Sequence, residues 1–306
     1  MASAPGKVIL FGEHAVVYGQ PAIAAPVDSL RATVEVMPGA RGSGLRIVAL
    51  DIGRTVEVRS APDDDPLALV ARLTLDALGA SMPDLMLVLK STIPIASNLG
   101  SGAAVSAALA RTLAEALGAT LDVERLSALV YEVEKLHHGT PSGIDNTVVV
   151  YDKPVYFVRG QPPQIISIYR PFTLAIADTG LPSPTKIAVG DVRRLYESNP
   201  AQIAPIFDAI GMIVQNARTS IESGRVEPLG PLMNQNHALL QRLTVSCPEL
   251  DALVTAAREA GALGAKLCGG GRGGNMIALA EGVDHGRLER ALRAAGAVRV
   301  IFTEVS

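Results

Sequence analysis

The sequence predicts a two-domain protein of the α+β class, in which strands and helices are mixed along the chain. Three observations lead there. The chain has 306 residues, and a typical domain of roughly 150 predicts about two cores. Short β-branched runs and longer stretches of helical periodicity occur in both halves. A segment punctuated by Gly and Pro at 160–171 supplies a boundary, giving domains over 1–165 and 166–306. Apolar residues make up 48 % and charged residues 19 %, a globular balance that excludes disorder as the dominant state.

The elements follow in order. Residues 7–11 (KVILF) read as a buried strand, and further strands are expected at 31–37, 45–50 and 55–59. Pro38-Gly39 and Gly42-Ser43-Gly44 separate some of them. Asp63-Asp64-Asp65-Pro66 marks a helix start, with acid at the positive end of the dipole; it reads as a solvated cap rather than a metal site. A strand at 84–90 leads through the loop 91–100 into an Ala-rich helix from Ser101 to Leu117, ended by Gly118. Asp122 caps the next helix, which runs to about His138. On it Leu126, Leu129, Val130, Val133 and His137 share one face. Glu134 lies at the edge of that stripe and can reach a site beside the core, whereas Glu132 points to solvent. In the second half, helices are expected at 185–198, 201–223, 225–243 and 248–260, and strands at 172–178, 275–280 and 297–305. There is no internal repeat.

Several classes are excluded. A net charge of −3 does not suit a general nucleic-acid binder, although a local anion pocket needs only a few donors. Two cysteines as far apart as Cys247 and Cys268 make neither a disulfide scaffold nor a zinc site, and a reducing cytoplasm is the simplest setting. No signal region opens the chain and no run of 18 apolar residues spans a membrane. His14, His137, His138, His237 and His285 contain no H-x-x-x-H spacing, and adjacent helical residues such as His137 and His138 diverge by about 100°.

Three segments are candidates for phosphate chemistry. In Ile93–Ala104 (IPIASNLGSGAA) a glycine-containing loop feeds a helix N-terminus, which offers unpaired N–H groups to an anion; the alternative is a tight turn capped by Ser101. The Walker pattern is absent. Gly269–Gly274 (GGGRGG) contains G-x-G-x-x-G, but a strand-like run follows where a dinucleotide site needs a helix. A loop of close backbone approach is the better reading, with Arg272 free to meet phosphate or a carboxylate. In Glu134–Asn146 (EKLHHGTPSGIDN) a turn delivers Asp145, so two carboxylates can divide metal binding and hydroxyl activation. At the N-terminus (PGKVILFGEHAVVYG) a strand carries Lys7, with Glu13-His14 just past its end; a surface lysine followed by an ordinary turn is the alternative.

Together these segments resemble the GHMP kinase superfamily, and within it the mevalonate kinase family. PGKVILFGEHAVVYG, the loop 93–104, EKLHHGTPSGID, Asp178–Lys186 (DTGLPSPTK) and the Gly-rich 266–274 occur in the family's order over nearly the whole chain. The resemblance implies an N-terminal α/β domain, a C-terminal ferredoxin-like α+β domain and an active site in the cleft between them. It implies transfer of phosphate from ATP to the primary hydroxyl of mevalonate with Mg²⁺, and a homodimer. By position, Asp145 and Lys7 match catalytic residues. Glu134 matches the magnesium-binding glutamate, and either Ser101 or a water takes the place of the usual serine on the metal. Lys7, Glu13, His14, Asp145 and Thr185 match the substrate end. Pro94, Ala96, Ser97, Asn98, Leu99, Gly100, Ser101, Gly102, Ala103 and Ala104 match the nucleotide cradle, with Arg272 beside them. Two departures stand out: Gly102 replaces a serine that usually contacts magnesium, and Arg272 and Asn275 interrupt the third motif. A phosphomevalonate kinase, an ATP-dependent decarboxylase of the same fold, and a non-catalytic nucleotide binder are the competing readings.

Overall fold

A computed structural model describes residues 1–94, 98–138 and 141–306, with the side chains of His137 and His138 outside the description. The chain forms two compact units. The first comprises Met1–Gly6, Leu30–Pro94 and Gly100–Asp152. The second comprises Lys7–Ser29, the described residues of Ile95–Leu99, and Lys153–Ser306. These units interleave in sequence, where the turn residues suggested one cut at 160–171. Turn residues mark where a chain bends, not which side chains pack together.

Strands β1 (Ala2–Phe11) and β2 (Ala22–Pro38) pair with each other, and each contributes residues to both units. In the first unit, β3 (Leu45–Ala49), β4 (Arg54–Glu57) and β5 (Leu85–Ser91) extend the sheet in the order β4-β3-β5-β2. β3 runs parallel to β5 with Ile47 opposite Leu87, and β5 runs antiparallel to β2 with Leu89 opposite Val34. All four side chains are buried.

Helix α1 (Pro66–Leu78) starts where the acidic run ends: the Asp65 carboxylate accepts from Leu67 N at 2.9 Å and Ala68 N at 3.0 Å. Asp63 and Asp64 are exposed, but Asp65 is buried and paired with Arg54, so only part of the run is solvated. Helix α2 (Ser101–Ala116) packs against α1 and β5 through small residues, with Ala103, Ala104, Ala107 and Ala108 fully buried. Helix α3 (Val123–His138) is capped by Asp122, whose carboxylate accepts from Arg125 N at 2.7 Å. It buries Leu126, Leu129, Val130 and Val133, as the periodicity predicts. A further helix, α4 (Ile144–Tyr151), follows the turn expected before Asp145; Gly143, at φ 94, starts it and its Val148–Val150 run enters the core.

In the second unit the N-terminal part of β2 pairs with β6 (Val155–Phe157), which pairs with β7 (Gln164–Ile165). Then follow β8 (Phe172–Asp178), α5 (Thr185–Ser198), α6 (Pro200–Glu222), α7 (Leu229–Arg242), α8 (Pro248–Glu259), β9 (Gly264–Cys268), β10 (Asn275–Leu279), α9 (His285–Ala294) and β11 (Arg299–Val305). Helix α7 begins four residues later than its periodicity suggested, because Pro228 stands as its N-cap. The sheet order is β11-β8-β10-β9 with every pair antiparallel, the ferredoxin-like arrangement that the resemblance implies.

Edge strand β9 is covered by side chains rather than by another strand. Asn234 Oδ1 accepts from Ala265 N at 3.0 Å, His237 Nδ1 accepts from Leu267 N at 3.2 Å, and Arg258 donates to Ala265 O at 3.0 Å. That satisfies backbone groups which an open edge would leave available for pairing. Among the described residues, no helix is long and apolar enough to cross a membrane.

Candidate active site

In the first unit, α2 presents its N-terminus without a side-chain cap. Gly100 is the N-cap, at φ 74 in the left-handed region, and Ser101 is the first helical residue. Ser101 therefore does not cap the helix, and the first-turn N–H groups keep the anion-binding character that a cap would remove. Gly102, Ala103 and Ala104 follow in that turn, where Ala104 N donates to Gly100 O at 2.9 Å. With Ala103 and Ala104 buried, this helix start can offer a ligand backbone groups and the Ser101 hydroxyl. Pro94 belongs to the same unit, while Ala96 and Ser97 lie outside the described residues.

Helix α3 packs against α2 and α4, which gathers the two carboxylate-bearing helices around the Ser101 helix. Glu134 is 3 % exposed, whereas Glu132 is exposed and pairs with Lys135 at 2.7 Å. The helical-face argument thus separates the two glutamates correctly. Asp145 sits in the first turn of α4, where the helix dipole favours a negative charge. Among the described residues no group of three or more His, Cys, Asp or Glu forms a metal cage. The donors here are hard oxygens, a buried carboxylate and a hydroxyl. That suits Mg²⁺, which takes one or two carboxylates and completes its shell with water and substrate phosphate.

In the second unit, Lys7 lies within β1 and is 2 % exposed, so the surface-lysine alternative fails. Its backbone N–H donates to Leu99 O at 2.8 Å and ties β1 to the end of the 93–100 loop. Beyond β1, Glu13 is buried against Lys266 of β9, and His14 Nε2 lies 3.1 Å from Gly270 O. A carbonyl oxygen only accepts, so His14 Nε2 carries the proton. Burial pushes the His14 pKa down to about 4, which leaves the ring neutral at pH 7.

The Gly-rich segment links β9 to the antiparallel β10, so a strand follows it and the dinucleotide pattern is formal only. Its need for glycine is steric: at Gly271, φ 77, a Cβ would stand 1.9 Å from Val245 O. Residues from two other segments meet it. Thr185 opens α5 and its hydroxyl donates to Asn98 Oδ1 at 3.4 Å, while Ser183 Oγ donates to Gly271 O at 2.7 Å. The second unit therefore brings Lys7, Glu13, His14, Asn98, Leu99 and Thr185 around one glycine loop.

Arg272 is anchored. It pairs with Asp191 of α5, its Nε donates to Thr244 O at 3.2 Å, and its backbone N–H donates to Val245 O at 2.8 Å. Of its two sequence readings, the carboxylate partner is present. Cys268 is a packed thiol whose pKa burial pushes up, and both cysteines are free. Lys266 and Asp191 are absent from the sequence reading. The signal for Lys266 was available: it is the one charged residue in the short apolar run GAKLC.

Comparison with known proteins identifies the family. The model for the GHMP kinases N terminal domain matches residues 66–153, and that for GHMP kinases C terminal matches residues 217–298. The chain is 39 % identical over 326 aligned positions to a mevalonate kinase of Pyrococcus furiosus, covering 100 % of this chain and 96 % of that protein. It is 37 % identical to a mevalonate kinase of Thermococcus sibiricus, again over 100 % and 96 %. Among solved structures, L. major mevalonate kinase in complex with R-mevalonate superposes with a TM-score of 0.86 at 32 % identity, covering 99 % of this chain and 95 % of that one. The family models, the full-length relatives and the fold converge: the chain belongs to the GHMP kinase family, within its mevalonate kinase branch.

Proposed function

We propose that this protein transfers the γ-phosphoryl group of ATP to the primary hydroxyl of mevalonate, giving 5-phosphomevalonate. One observation carries the reading: the chain is 39 % identical to a mevalonate kinase over its full length, and Lys7, Glu13, His14, Glu134 and Asp145 stand in the segments that resemble the family's motifs. Phosphoryl transfer asks the protein for positioning and charge stabilisation more than for covalent chemistry. The uncapped start of α2 holds phosphate oxygens through backbone N–H groups. Glu134 and the Ser101 hydroxyl would hold Mg²⁺, which supplies charge neutralisation to the polyphosphate when bound. With glycine at position 102, Ser101 is the hydroxyl left at the start of this helix.

Asp145 orients the acceptor hydroxyl and takes its proton, the role of a general base. Lys7 lends positive charge to the transferring group. Thr185 and His14 bind at the acceptor end. The buried position of Lys7 strengthens its role, because a charge in a water-poor setting acts on a neighbour with less screening. The two free cysteines suit a reducing cytoplasm.

The test is ATP consumption with Mg²⁺ and mevalonate, with the product identified by phosphorus NMR and carbon dioxide followed in parallel. Phosphate on the primary hydroxyl without carbon dioxide is the expected result. Turnover of a phosphomevalonate but not of mevalonate would move the acceptor, and carbon dioxide release would make the protein a decarboxylase.

A further inference from the structure

The turn Gly12-Glu13-His14 is strained and over-determined. Gly12 has φ 102 and a Cβ there would stand 2.6 Å from Ala22, so only glycine fits. His14 has φ 62, a backbone region that a side chain as large as imidazole rarely adopts. Such a conformation persists when its surroundings hold it. Contacts on both residues do so here. The His14 ring donates to Gly270 O in the Gly-rich loop, and its chain neighbour Glu13 is paired with Lys266. Lys266 is a buried partner. It is 0 % exposed, its Nζ pairs with Glu13, and it also donates to Leu267 O at 2.7 Å, within the strand that leads into that loop. Lys266 and Glu13 are 253 residues apart in sequence.

We infer that Lys266 is a positioning residue for phosphoryl transfer, acting through Glu13 to hold the ring of His14 with its Nε2–H on Gly270 O. Glu13 is then part of the support and not a substrate contact: it is 1 % exposed and engaged by Lys266. The consequence reaches the substrate through His14. With Nε2–H committed to Gly270 O, Nδ1 keeps its lone pair and accepts a hydrogen bond from a hydroxyl donor. The inference rests on the acceptor-end role proposed above for His14, and the experiment separates the two.

The apolar pair Lys266→Met with Glu13→Leu removes both charges at once and leaves no unpaired buried ion. Folding is checked by circular dichroism. ¹⁵N-histidine NMR of the substrate-free protein, with the His14 resonances assigned through His14→Gln, reads the tautomer directly. The expected result is a loss of the pure Nε2–H signature. With it, KM for mevalonate rises by about tenfold or more while KM for ATP stays within about twofold, the scale for a misplaced positioning group. Lys266→Gln, which leaves Glu13 free to take a proton, is expected to shift both readouts the same way and serves if the apolar pair does not fold. An unchanged His14 signature in a folded variant overturns the inference. So does an unchanged KM for mevalonate with an altered signature. If the unaltered protein does not turn over mevalonate, the functional reading fails, and the NMR signature alone still decides whether Lys266 sets His14.

Discussion

Acidification should destabilise this protein through its buried histidines well before its carboxylates are fully protonated. His237 is the case that can be isolated. Its Nε2 lies 3.0 Å from Asp251 Oδ1 and its Nδ1 accepts from Leu267 N, so the ring is neutral with the proton on Nε2. Burial lowers its pKa from 6.5 to about 4, against the opposing pull of Asp251; Arg258 and Lys266 push the same way as burial. The folded pKa lies below the unfolded one, so between about pH 4 and 6.5 the unfolded chain binds more protons. Stability contributed by this group is therefore complete above about pH 6.5 and is lost as pH falls toward 4. Each depressed pKa unit corresponds to about 1.4 kcal/mol, so the full window is worth about 3 kcal/mol. His14, also lowered to about 4, contributes in the same direction. Glu13, whose pKa burial raises, contributes in the opposite one. The absolute slope is thus a mixture, and the difference between two proteins is decisive. Urea unfolding of the unaltered chain and of His237→Gln should be followed from pH 7 to 4.5. A glutamine carbonyl can accept from Leu267 N without titrating. The variant is expected to lose less stability on acidification, by about 2 kcal/mol or more over that range. Identical pH profiles would show that His237 does not carry the protonation penalty assigned to it.

Three further outcomes are expected. Asp145→Asn should lower turnover by at least about 10²-fold, the scale of a lost general base, with an unchanged circular dichroism spectrum; near-normal turnover would remove Asp145 from the mechanism. Glu134→Gln should raise the Mg²⁺ concentration needed for half-maximal rate, while Glu132→Gln, altering an exposed residue, should not; equal effects would defeat the helical-face argument. Arg272→Ala should leave ATP affinity, measured calorimetrically, within about threefold, because its guanidinium is already engaged by Asp191 and Thr244 O; a loss beyond about tenfold would make Arg272 a phosphate ligand instead.

The parts of the fold that were legible are those whose hydrophobic period is unbroken over a long window. The stripe Leu126, Leu129, Val130, Val133 places α3 and separates Glu134 from Glu132 on periodicity alone. The Asp-rich start of α1 was readable because a cap is a local interaction, formed between Asp65 and residues two and three positions on. Elements that depend on distant partners were not. Strand β9 carries a glycine and a lysine in five residues, and its edge is completed by Asn234, His237 and Arg258, which no local pattern connects to it. Helix α4 was not expected after the Thr-Pro-Ser-Gly turn, because eight residues span little more than two helical turns and show no clear period.

The site divides along the same line. The proposed ligand-binding residues lie in short sequence motifs, which is why the resemblance could name them. Lys7, the 93–104 loop, Glu134 and Asp145 are of this kind. What holds those residues still is a different population. Lys266 reaches Glu13 across 253 residues, Asp191 reaches Arg272 across 81, and Thr185 reaches Asn98 across 87. Thr185 was named by its motif, but Lys266 and Asp191 are ordinary residues in their own segments and become informative only as one half of a pair. A charged residue inside an apolar run is the exception that sequence can flag. Burying an ammonium group without a partner costs several kcal/mol, so Lys266 at the centre of GAKLC implies a carboxylate somewhere in the fold. The sequence offers 30 carboxylates, and only the folded chain selects Glu13, the one beside His14. That selection is why the experiment on Lys266 tests the catalytic geometry and not the stability of a strand alone.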